Sequence, residues 1–471
     1  MNIHLPLCGQ GRGVLAGTAL LVLPLFTACQ TVRPDPAVEA AIVHATGLSE
    51  PLAFRVEGGP LDEPSAGDRL TFVDATRRAV MTDPGLQSAI ARVRIAMADA
   101  DQARLLPNPV LGFVLRAGPG KPQIEVSLAQ DIIQVFQIPR QSSAADNRMR
   151  QAAADAVTVA LDVVAQVQER YATAQIAGRL IPVMQNRLEL VNRLTKVAEY
   201  RIEAGEGVRG DVIVLNAKRV ELELMLDEAL HKERIEQLQL ARLIGEPSAT
   251  AAWILDDWNA PEAVATAEYL WIEAALKHRP EVQSVAWQLA GLGDDYALTR
   301  LLPWEGASIG ASAEKGTDWQ LGPSISTPIP VFDAGQARRA RITAEQIEVR
   351  HKLTMVKRQI VEEVRLAHLG LSESVVHLWR VHNELIPLLQ QRRDQAEQVY
   401  NSGLADVTVL YLAEQDLLAA QSLELDFERE TSVALIHLQR AVGSATNPVS
   451  EVESESSSAS QSVSIKQYNQ R

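Results

Sequence analysis

The sequence runs through one plan twice, with matching landmarks about 196 residues apart, a period far too long for a solenoid unit. Asp83-Pro84 opens a helical run in the first half, and Arg279-Pro280 opens the matching run in the second. The other matched positions are Leu105-Leu106-Pro107 with Leu301-Leu302-Pro303, Phe136 with Phe332, Gly205 with Gly403, Asp211 with Asp406, and Gly245 with Gly443. This register indicates a tandem duplication, and two copies of one supersecondary assembly favour a pseudo-symmetric wall or tube.

The N-terminal residues 1–28 are predicted to be a signal peptide that is removed. Arg12 supplies a positive charge, and the apolar run from Gly13 to Phe26 is too short to span a bilayer as a helix. Small residues precede Cys29, as in a bacterial lipobox, which predicts acylation of the Cys29 thiol and of the new amino terminus. Gln30 in the next position fits sorting to the outer membrane. An ordinary signal peptide with an incidental cysteine is the alternative interpretation.

The composition limits the partners of the chain. Its formal net charge is −14, and the predicted cleavage removes only one charged residue, the basic Arg12. Nucleic acid is therefore not expected as a partner, because phosphate binding needs clustered Lys and Arg. No stretch of the mature sequence reaches 18 apolar residues, so a membrane-crossing segment would have to consist of strands.

The chain divides into a predicted series of segments. We expect a lipidated N-terminal tether at 29–66, repeat 1 at 67–246, a linker at 247–261, repeat 2 at 262–445 and a disordered Ser-rich tail at 446–471. Each repeat reads as helix, two strands, very long helix, tight turn and another long helix. The longest predicted helix covers 141–203 and would reach ~95 Å, which favours a coiled-coil assembly. A seam with seven-residue spacing consists of Ala413, Ala420, Phe427, Ala434 and Ala441.

The predicted strands alternate between apolar residues and small or polar ones. Gly118–Lys121 and Lys315–Asp318 supply the turns of two hairpins. One interpretation is a half-buried sheet in a soluble domain, and the other is membrane strands facing lipid on one side and a polar lumen on the other. Four strands cannot close a barrel, so the second interpretation requires three subunits that pool 12 strands. The apolar positions are Leu111, Phe113, Leu115, Ile124, Val126, Leu128, Ile309, Ala311, Ala313, Leu321 and Ile325.

With these features the chain resembles the TolC-like outer membrane factor family, over nearly the whole mature sequence. The tip segment Tyr400-Asn401-Ser402-Gly403-Leu404-Ala405-Asp406, followed by Leu410, Ala413 and Gln415, is similar to the family signature. Repeat 1 matches it more loosely with Tyr200, Gly205, Asp211, Leu215 and Ala217. The resemblance implies a mainly α fold with a small membrane β-barrel portion, in which a homotrimer forms a 12-stranded barrel on a long α-helical tunnel. It also implies a periplasmic adaptor and an inner-membrane pump as partners at the closed end of the tunnel.

The resemblance also implies candidate site residues at the tips. The matching gate positions are Asp211, Asp406, Tyr400 and Arg209. A ring of carboxylates around a trimer axis repels itself and holds cations. The alternatives are helix N-capping for the aspartates, packing for Tyr400, and a solvated charge or an adaptor contact for Arg209. The candidate adaptor contacts are Gly205, Glu206, Gly207, Val208, Gly403, Leu404 and Ala405.

The sequence contains no recognisable enzyme motif, and we expect neither catalysis nor a cofactor or metal site. The histidines are scattered and form no His-Glu-x-x-His pattern. The predicted function is an outer-membrane exit channel of a tripartite efflux system, lipid-anchored and extending into the periplasm. A duct for protein secretion and a non-conducting periplasmic coiled-coil lipoprotein are the alternatives.

Overall fold

The computed structural model describes residues 69–117, 122–205, 207–247, 250–251, 253–256, 267–316, 318–405 and 407–443. The predicted signal peptide, Cys29, the tether and the Ser-rich tail lie outside the described residues. So do Glu206 and Asp406, two of the predicted tip positions.

Repeat 1 contains two helices, a β-hairpin and a pair of long helices. The sequence predicted one helix before the hairpin, whereas the structure has two. Asp83 caps the second helix by accepting a hydrogen bond from the Leu86 amide (2.7 Å), and Pro84 is its first residue. The elements are β1 (Arg69–Leu70), α1 (Phe72–Thr82), α2 (Pro84–Ala103), β2 (Val110–Arg116), β3 (Gln123–Asp131), α3 (Ile132–Glu203) and α4 (Arg209–Leu243).

Repeat 2 has the same order of elements, which confirms the predicted duplication. Its long helix is interrupted where that of repeat 1 is continuous. The elements are β4 (Ile254–Leu255), α5 (Glu268–His278), α6 (Pro280–Leu298), a 3₁₀ turn (Leu302–Trp304), β5 (Ser308–Lys315), β6 (Trp319–Ser326), α7 (Gln336–Arg380), a π-helical segment (Val381–Leu385), α8 (Ile386–Asn401) and α9 (Val407–Val442).

The two hairpins join into one antiparallel sheet of order β2-β3-β5-β6. Its central pairing sets Val126 opposite Ala313 and Leu128 opposite Ala311, so the two repeats meet at the β3–β5 boundary. The predicted apolar positions share one face, and their side chains are largely open, with Leu321 81% and Ile325 76% exposed. The sheet therefore has an uncovered apolar face within a single chain.

The opposite face of the sheet carries mainly small residues. Gly112, Ser127, Ser312 and Gly322 lie side by side across all four strands. Apart from the exposed Val110 and Val114, the residues of this face are small, polar or charged, and the face therefore suits contact with water.

The long helices extend further than the sequence predicts. Helix α3 begins at Ile132 rather than Gln141 and comprises 72 residues. The Asp131 side chain caps it by accepting a hydrogen bond from the Gln134 amide (3.0 Å), and Pro139 and Pro182 both lie inside it. At 1.5 Å per residue, α3 spans about 108 Å. None of the described helices combines the length and the apolar character that crossing a bilayer requires.

Three of the five positions of the seam predicted for the last helix are buried in α9, and Phe427 and Ala434 are half-buried. Ala413, Ala420 and Ala441 are each no more than 5% exposed. The small side chains allow close approach of neighbouring helices, as expected for a coiled-coil arrangement.

A short parallel pairing ties the predicted linker to the start of repeat 1. Strand β4 lies inside 247–261 and pairs with β1, with Leu255 opposite Leu70. The buried Tyr171 hydroxyl lies 2.8 Å from the Leu70 carbonyl oxygen and 3.1 Å from that of Asp256, bracketing the pair. Part of this linker is therefore ordered against α3.

A network of charges around the buried Arg279 joins the two repeats where α6 begins. Arg279 donates to Glu281 (2.8 Å) and to Glu363, and its side chain is only 7% exposed. Arg440 donates both to Glu281 (2.9 Å) and to Asp162 on α3 of the other repeat (2.5 Å). Three carboxylates and two guanidinium groups thus pair with one another across α3, α6, α7 and α9.

The π-helical segment accounts for one residue of the length difference between the repeats. The offset between matched landmarks rises from 196 at Phe136 and Phe332 to 198 at Gly205 and Gly403, so repeat 2 has extra residues in its long helix. A π turn closes its hydrogen bonds over one more residue than an α turn and so absorbs an insertion without rotating the flanking helices. Val381 stays buried, and His382 contacts Glu424 of α9 (2.6 Å).

A deletion experiment tests whether the π-helical segment holds an inserted residue. Removing the exposed Asn383 is expected to convert the segment into regular α-helix and to change the unfolding free energy by only about 1 kcal/mol. Removing the exposed Gln391 from α8 rotates the residues that follow by about 100°, which takes Ala396 and Tyr400 off the buried face. That control is expected to cost about 3–5 kcal/mol. Thermal unfolding of the detergent-solubilised variants compares them, and equal losses would contradict the insertion argument.

Candidate functional site

The first tip is the turn between α3 and α4. Gly205 follows the end of α3 with φ of +80°, a left-handed conformation that favours glycine. A Cβ at Gly207 would approach the Ile202 amide nitrogen to 2.6 Å, so the chain turns back tightly over α3. Val208, which is 66% exposed, occupies the N-cap position before α4 begins at Arg209.

Asp211 does not cap the returning helix, and that expectation from the sequence was wrong. It is the third residue of α4, and Val208 stands at the N-cap with no side-chain hydrogen bond. Two residues of α4 precede Asp211 because the helix starts directly after Val208. A half-buried carboxylate in the first turn still interacts favourably with the partial positive charge of the helix N-terminus.

The second tip is the turn after α8. The Gly403 amide donates to the Tyr400 carbonyl oxygen (3.0 Å) and the Leu404 amide to that of Val399 (3.1 Å), with Gly403 at φ +73°. These two hydrogen bonds form a Schellman motif. Leu404 is left 82% exposed at the end of the turn. Of the predicted contacts at this tip, Gly403 and Leu404 are exposed, and Ala405 is half-buried.

Tyr400 is a packing residue within the single chain, being 5% exposed. Its ring lies against the hydrophobic cluster shared by both tip hairpins, and the Arg201 guanidinium stacks over it, 5.0 Å from the ring centre. Its counterpart Tyr200 in repeat 1 is 69% exposed. Sequence reasoning missed Arg201, because helical spacing alone does not indicate which cation faces a ring on the neighbouring hairpin.

The two tips lie side by side because their hairpins share one core. Met184, Val191 and Leu194 of α3 pack with Leu215 of α4 and Leu410 of α9. Of the predicted gate residues described, Arg209 is exposed, Asp211 half-buried and Tyr400 buried.

A buried ion pair lies further along the hairpins from the tips, and sequence reasoning did not identify it. Arg187 of α3 pairs with Glu414 of α9 and donates to Gln421 (3.0 Å). Burial lowers the pKa of Arg187, and the charge of Arg393 lowers it further. The pair connects the two hairpins of one chain, and no sequence signal could match it because its partners come from different repeats.

Within the described ranges, no group of three or more His, Cys, Asp or Glu side chains is arranged to hold a metal ion.

Comparison with solved structures defines the class of fold. No protein-family model matches the sequence, and no curated protein is similar enough to be matched. The fold is that of the outer-membrane channels, as the resemblance implied. It matches the outer-membrane channel OprN at 18% identity and a TM-score of 0.64, covering 84% of this chain and 98% of OprN.

Two further structures support this assignment of the fold. The outer membrane protein VceC from Vibrio cholerae matches at 17% identity and a TM-score of 0.63, covering 79% of this chain and 96% of VceC. CusC, whose structures concern folding and transmembrane channel formation, matches at 15% identity and a TM-score of 0.66, covering 84% and 99% of the two chains. Each comparison spans almost the whole length of the solved protein.

Proposed function

We propose that the chain is a TolC-like outer membrane factor, and that three copies form the outer-membrane exit channel of a tripartite efflux system. The observation that carries this proposal is the four-stranded sheet with its uncovered apolar face and small polar opposite face. In a membrane, the apolar face suits lipid and the polar face suits a lumen. The likeness to outer-membrane channels supports the same function.

The open edges of the sheet support a trimer. Within the sheet, β2 and β6 each pair on one side only. Unpaired backbone groups are not tolerated in lipid, so β6 of one subunit is expected to pair with β2 of the next. This head-to-tail contact closes into a ring when the rotation fits, and three chains supply 12 strands.

The helical flanks carry apolar stripes that fit the same arrangement. Helix α4 packs mainly on α3 and leaves Ile213, Val220 and Leu224 exposed. Helix α7 leaves Leu366 and Trp379 exposed on the other flank. Burying such stripes against a neighbouring subunit contributes about 25 cal/mol per Å² of apolar surface. We infer a tunnel wall built from these flanks, with the cysteine at position 29 as a lipid anchor at the outer membrane.

The tips are the proposed closure and docking region. Asp211, Asp406 and Arg209 close the periplasmic end, and the buried Tyr400 supports them from the core that the two tip hairpins share. The exposed Val208 and Leu404 contact a periplasmic adaptor that links to an inner-membrane pump. In this proposal the adaptor opens the tips, and the pump supplies the energy.

Single-channel recording of the purified protein in planar bilayers tests the function. We expect conductance from trimers, and a larger open fraction for the Asp211→Ala/Asp406→Ala double variant. Losing a charge-assisted hydrogen bond worth about 1.5–3 kcal/mol raises the ratio of open to closed channels by about 10- to 150-fold. Asp227→Ala, an exposed aspartate elsewhere on α4, is the matched control and is expected to leave conductance unchanged.

Two outcomes would overturn the proposal. Absence of conductance even in the double variant would favour the non-conducting coiled-coil lipoprotein. Absence of trimers in mild detergent would remove the argument for a shared barrel.

A further inference from the structure

The segment between β6 and α7 presents the most exposed large apolar side chain of the described residues. Phe332 is 93% exposed, and Ile329 (80%) and Val331 (71%) precede it. Gly335, which ends this segment, lies so close to the end of α6 that a Cβ there would be 3.0 Å from the Thr299 carbonyl oxygen. The apolar residues lie at the helical end of the sheet, between β6 and α7.

Two guanidinium groups are held directly beside this apolar segment. Arg338 pairs with Asp333 (3.3 Å), and Arg339 donates to the Ala334 carbonyl oxygen (3.1 Å). The Arg338–Asp333 pair is at least half exposed on both sides, so it contributes little and can exchange for another anion. Cationic groups therefore border an apolar surface.

The matching part of repeat 1 has the aromatic residue but not the arginines. Phe136 corresponds to Phe332 and is 69% exposed. The positions 196 residues before Arg338 and Arg339 are Ser142 and Ser143. The duplication alone therefore does not explain the basic pair, which is specific to repeat 2.

We propose that this surface binds the phosphate headgroup of a glycerophospholipid in the inner leaflet of the outer membrane. The inference rests on the proposed function, which places the helical end of the sheet at the periplasmic boundary of the bilayer. Ile329, Val331 and Phe332 lie among the upper acyl chains, and Arg338 and Arg339 bind the phosphate.

The chemistry of the arginine pair and of the apolar segment matches such a lipid. Guanidinium groups bind phosphate oxygens through paired, charge-assisted hydrogen bonds. An aromatic ring at the bilayer boundary buries its apolar body next to the headgroups. These apolar residues follow closely in the chain after Ile325, an apolar position of the sheet, so under the proposed function both contact one lipid phase.

Native mass spectrometry of the trimer tests the proposal, with phosphatidylglycerol as the added lipid. Arg338→Gln/Arg339→Gln is expected to reduce retained lipid about tenfold, because both charge-assisted contacts are removed. The matched control Arg350→Gln/Lys352→Gln removes two exposed cations further along α7 and is expected to retain the lipid. Equal retention by both double variants would overturn the proposal.

Further measurements distinguish a glycerophospholipid from other molecules that could occupy this surface. Preferential retention of lipid A over phosphatidylglycerol would overturn the assignment to a glycerophospholipid. A nitroxide at Phe332→Cys is expected to show accessibility to lipid-soluble oxygen, and its shielding in the trimer would assign the surface to a second copy of the chain. Conductance of the Arg338→Gln/Arg339→Gln trimer should persist, so loss of the headgroup site is distinguishable from failure of the channel function.

Discussion

Replacing Gly310 by valine is expected to abolish assembly of the four-stranded sheet. A Cβ at this position would lie 2.1 Å from the Leu128 carbonyl oxygen and 2.9 Å from the Ala129 Cα. Both are backbone atoms of β3, so no side-chain rotation relieves the overlap. Since β3–β5 is the pairing that joins the two hairpins, its loss separates the sheet into halves.

A glycine on the same face of the same sheet provides the control. Gly322 in β6 lies opposite Ser312, and an added Cβ there meets nothing within 4 Å. Gly322→Val is therefore expected to assemble normally. The fraction of protein that migrates as a heat-resistant trimer on gels measures assembly. We expect almost none for Gly310→Val, and near-normal trimer for that variant would show that β3 can move away from β5 without loss of the sheet.

Replacing Arg279 by methionine is expected to destabilise the folded chain by about 3–5 kcal/mol, the usual loss when one partner of a buried ion pair is removed. The substitution keeps the apolar stem but leaves Glu281 and Glu363 without their shared cation. Arg440 still pairs with Glu281, so that carboxylate remains partly compensated.

The same network predicts a dependence of stability on pH. Burial alone would raise the pKa of Glu281, but the hydrogen bond from Arg279 and the charges of Arg440 and Arg279 outweigh it and lower the pKa from 4.5 to about 2. In the unfolded chain this carboxyl protonates near its ordinary pKa. The stabilisation, on the order of 3 kcal/mol, is therefore complete above about pH 4.5 and is lost as the pH falls toward 2.

Thermal unfolding of the solubilised protein between pH 6 and pH 3 measures both effects. Arg279→Met should unfold at lower temperature and should lose less of its stability on acidification than the wild type. Arg104→Met is the control, because Arg104 also contacts two carboxylates, Asp101 and Asp146, but is about half exposed. It is expected to cost at most about 1 kcal/mol. Equal losses of stability in the two variants would mean that the burial of Arg279 does not increase the contribution of its ion pairs to stability.

Much of the sheet could be predicted from the sequence because strand periodicity is local. Alternation from Leu111 to Leu115 and from Ile124 to Leu128 assigns the two faces, and the structure pairs these strands with the apolar residues on one side. Glycines at matched positions indicated both tips, because a left-handed residue must end each helix. The β1–β4 pairing could not be predicted, since two-residue strands carry no periodic signal.

The helix boundaries and the detailed geometry of the tips could be predicted less well from the sequence. Helix α3 was predicted to begin at Gln141, yet the Asp131 cap starts it at Ile132, nine residues earlier, and Pro139 lies inside it. The tip geometry depends on contacts between hairpins, such as Arg201 on Tyr400, which link positions far apart in the chain. The π segment had a sequence signal in the rise of the landmark offset, but an offset does not show where a helix absorbs extra residues.

The pairing of β3 with β5 also determines when the four-stranded sheet can form during synthesis of the chain. Strand β3 ends at Asp131 and β5 begins at Ser308, so α3, α4, α5 and α6 must all leave the ribosome before β3 meets its partner. Contacts over such a sequence separation form slowly, because a long loop has to close first. The first hairpin therefore keeps an apolar face and an unpaired edge until β5 has been synthesised. Under the proposed function, the sheet inserts into a bilayer only after most of the chain has been made.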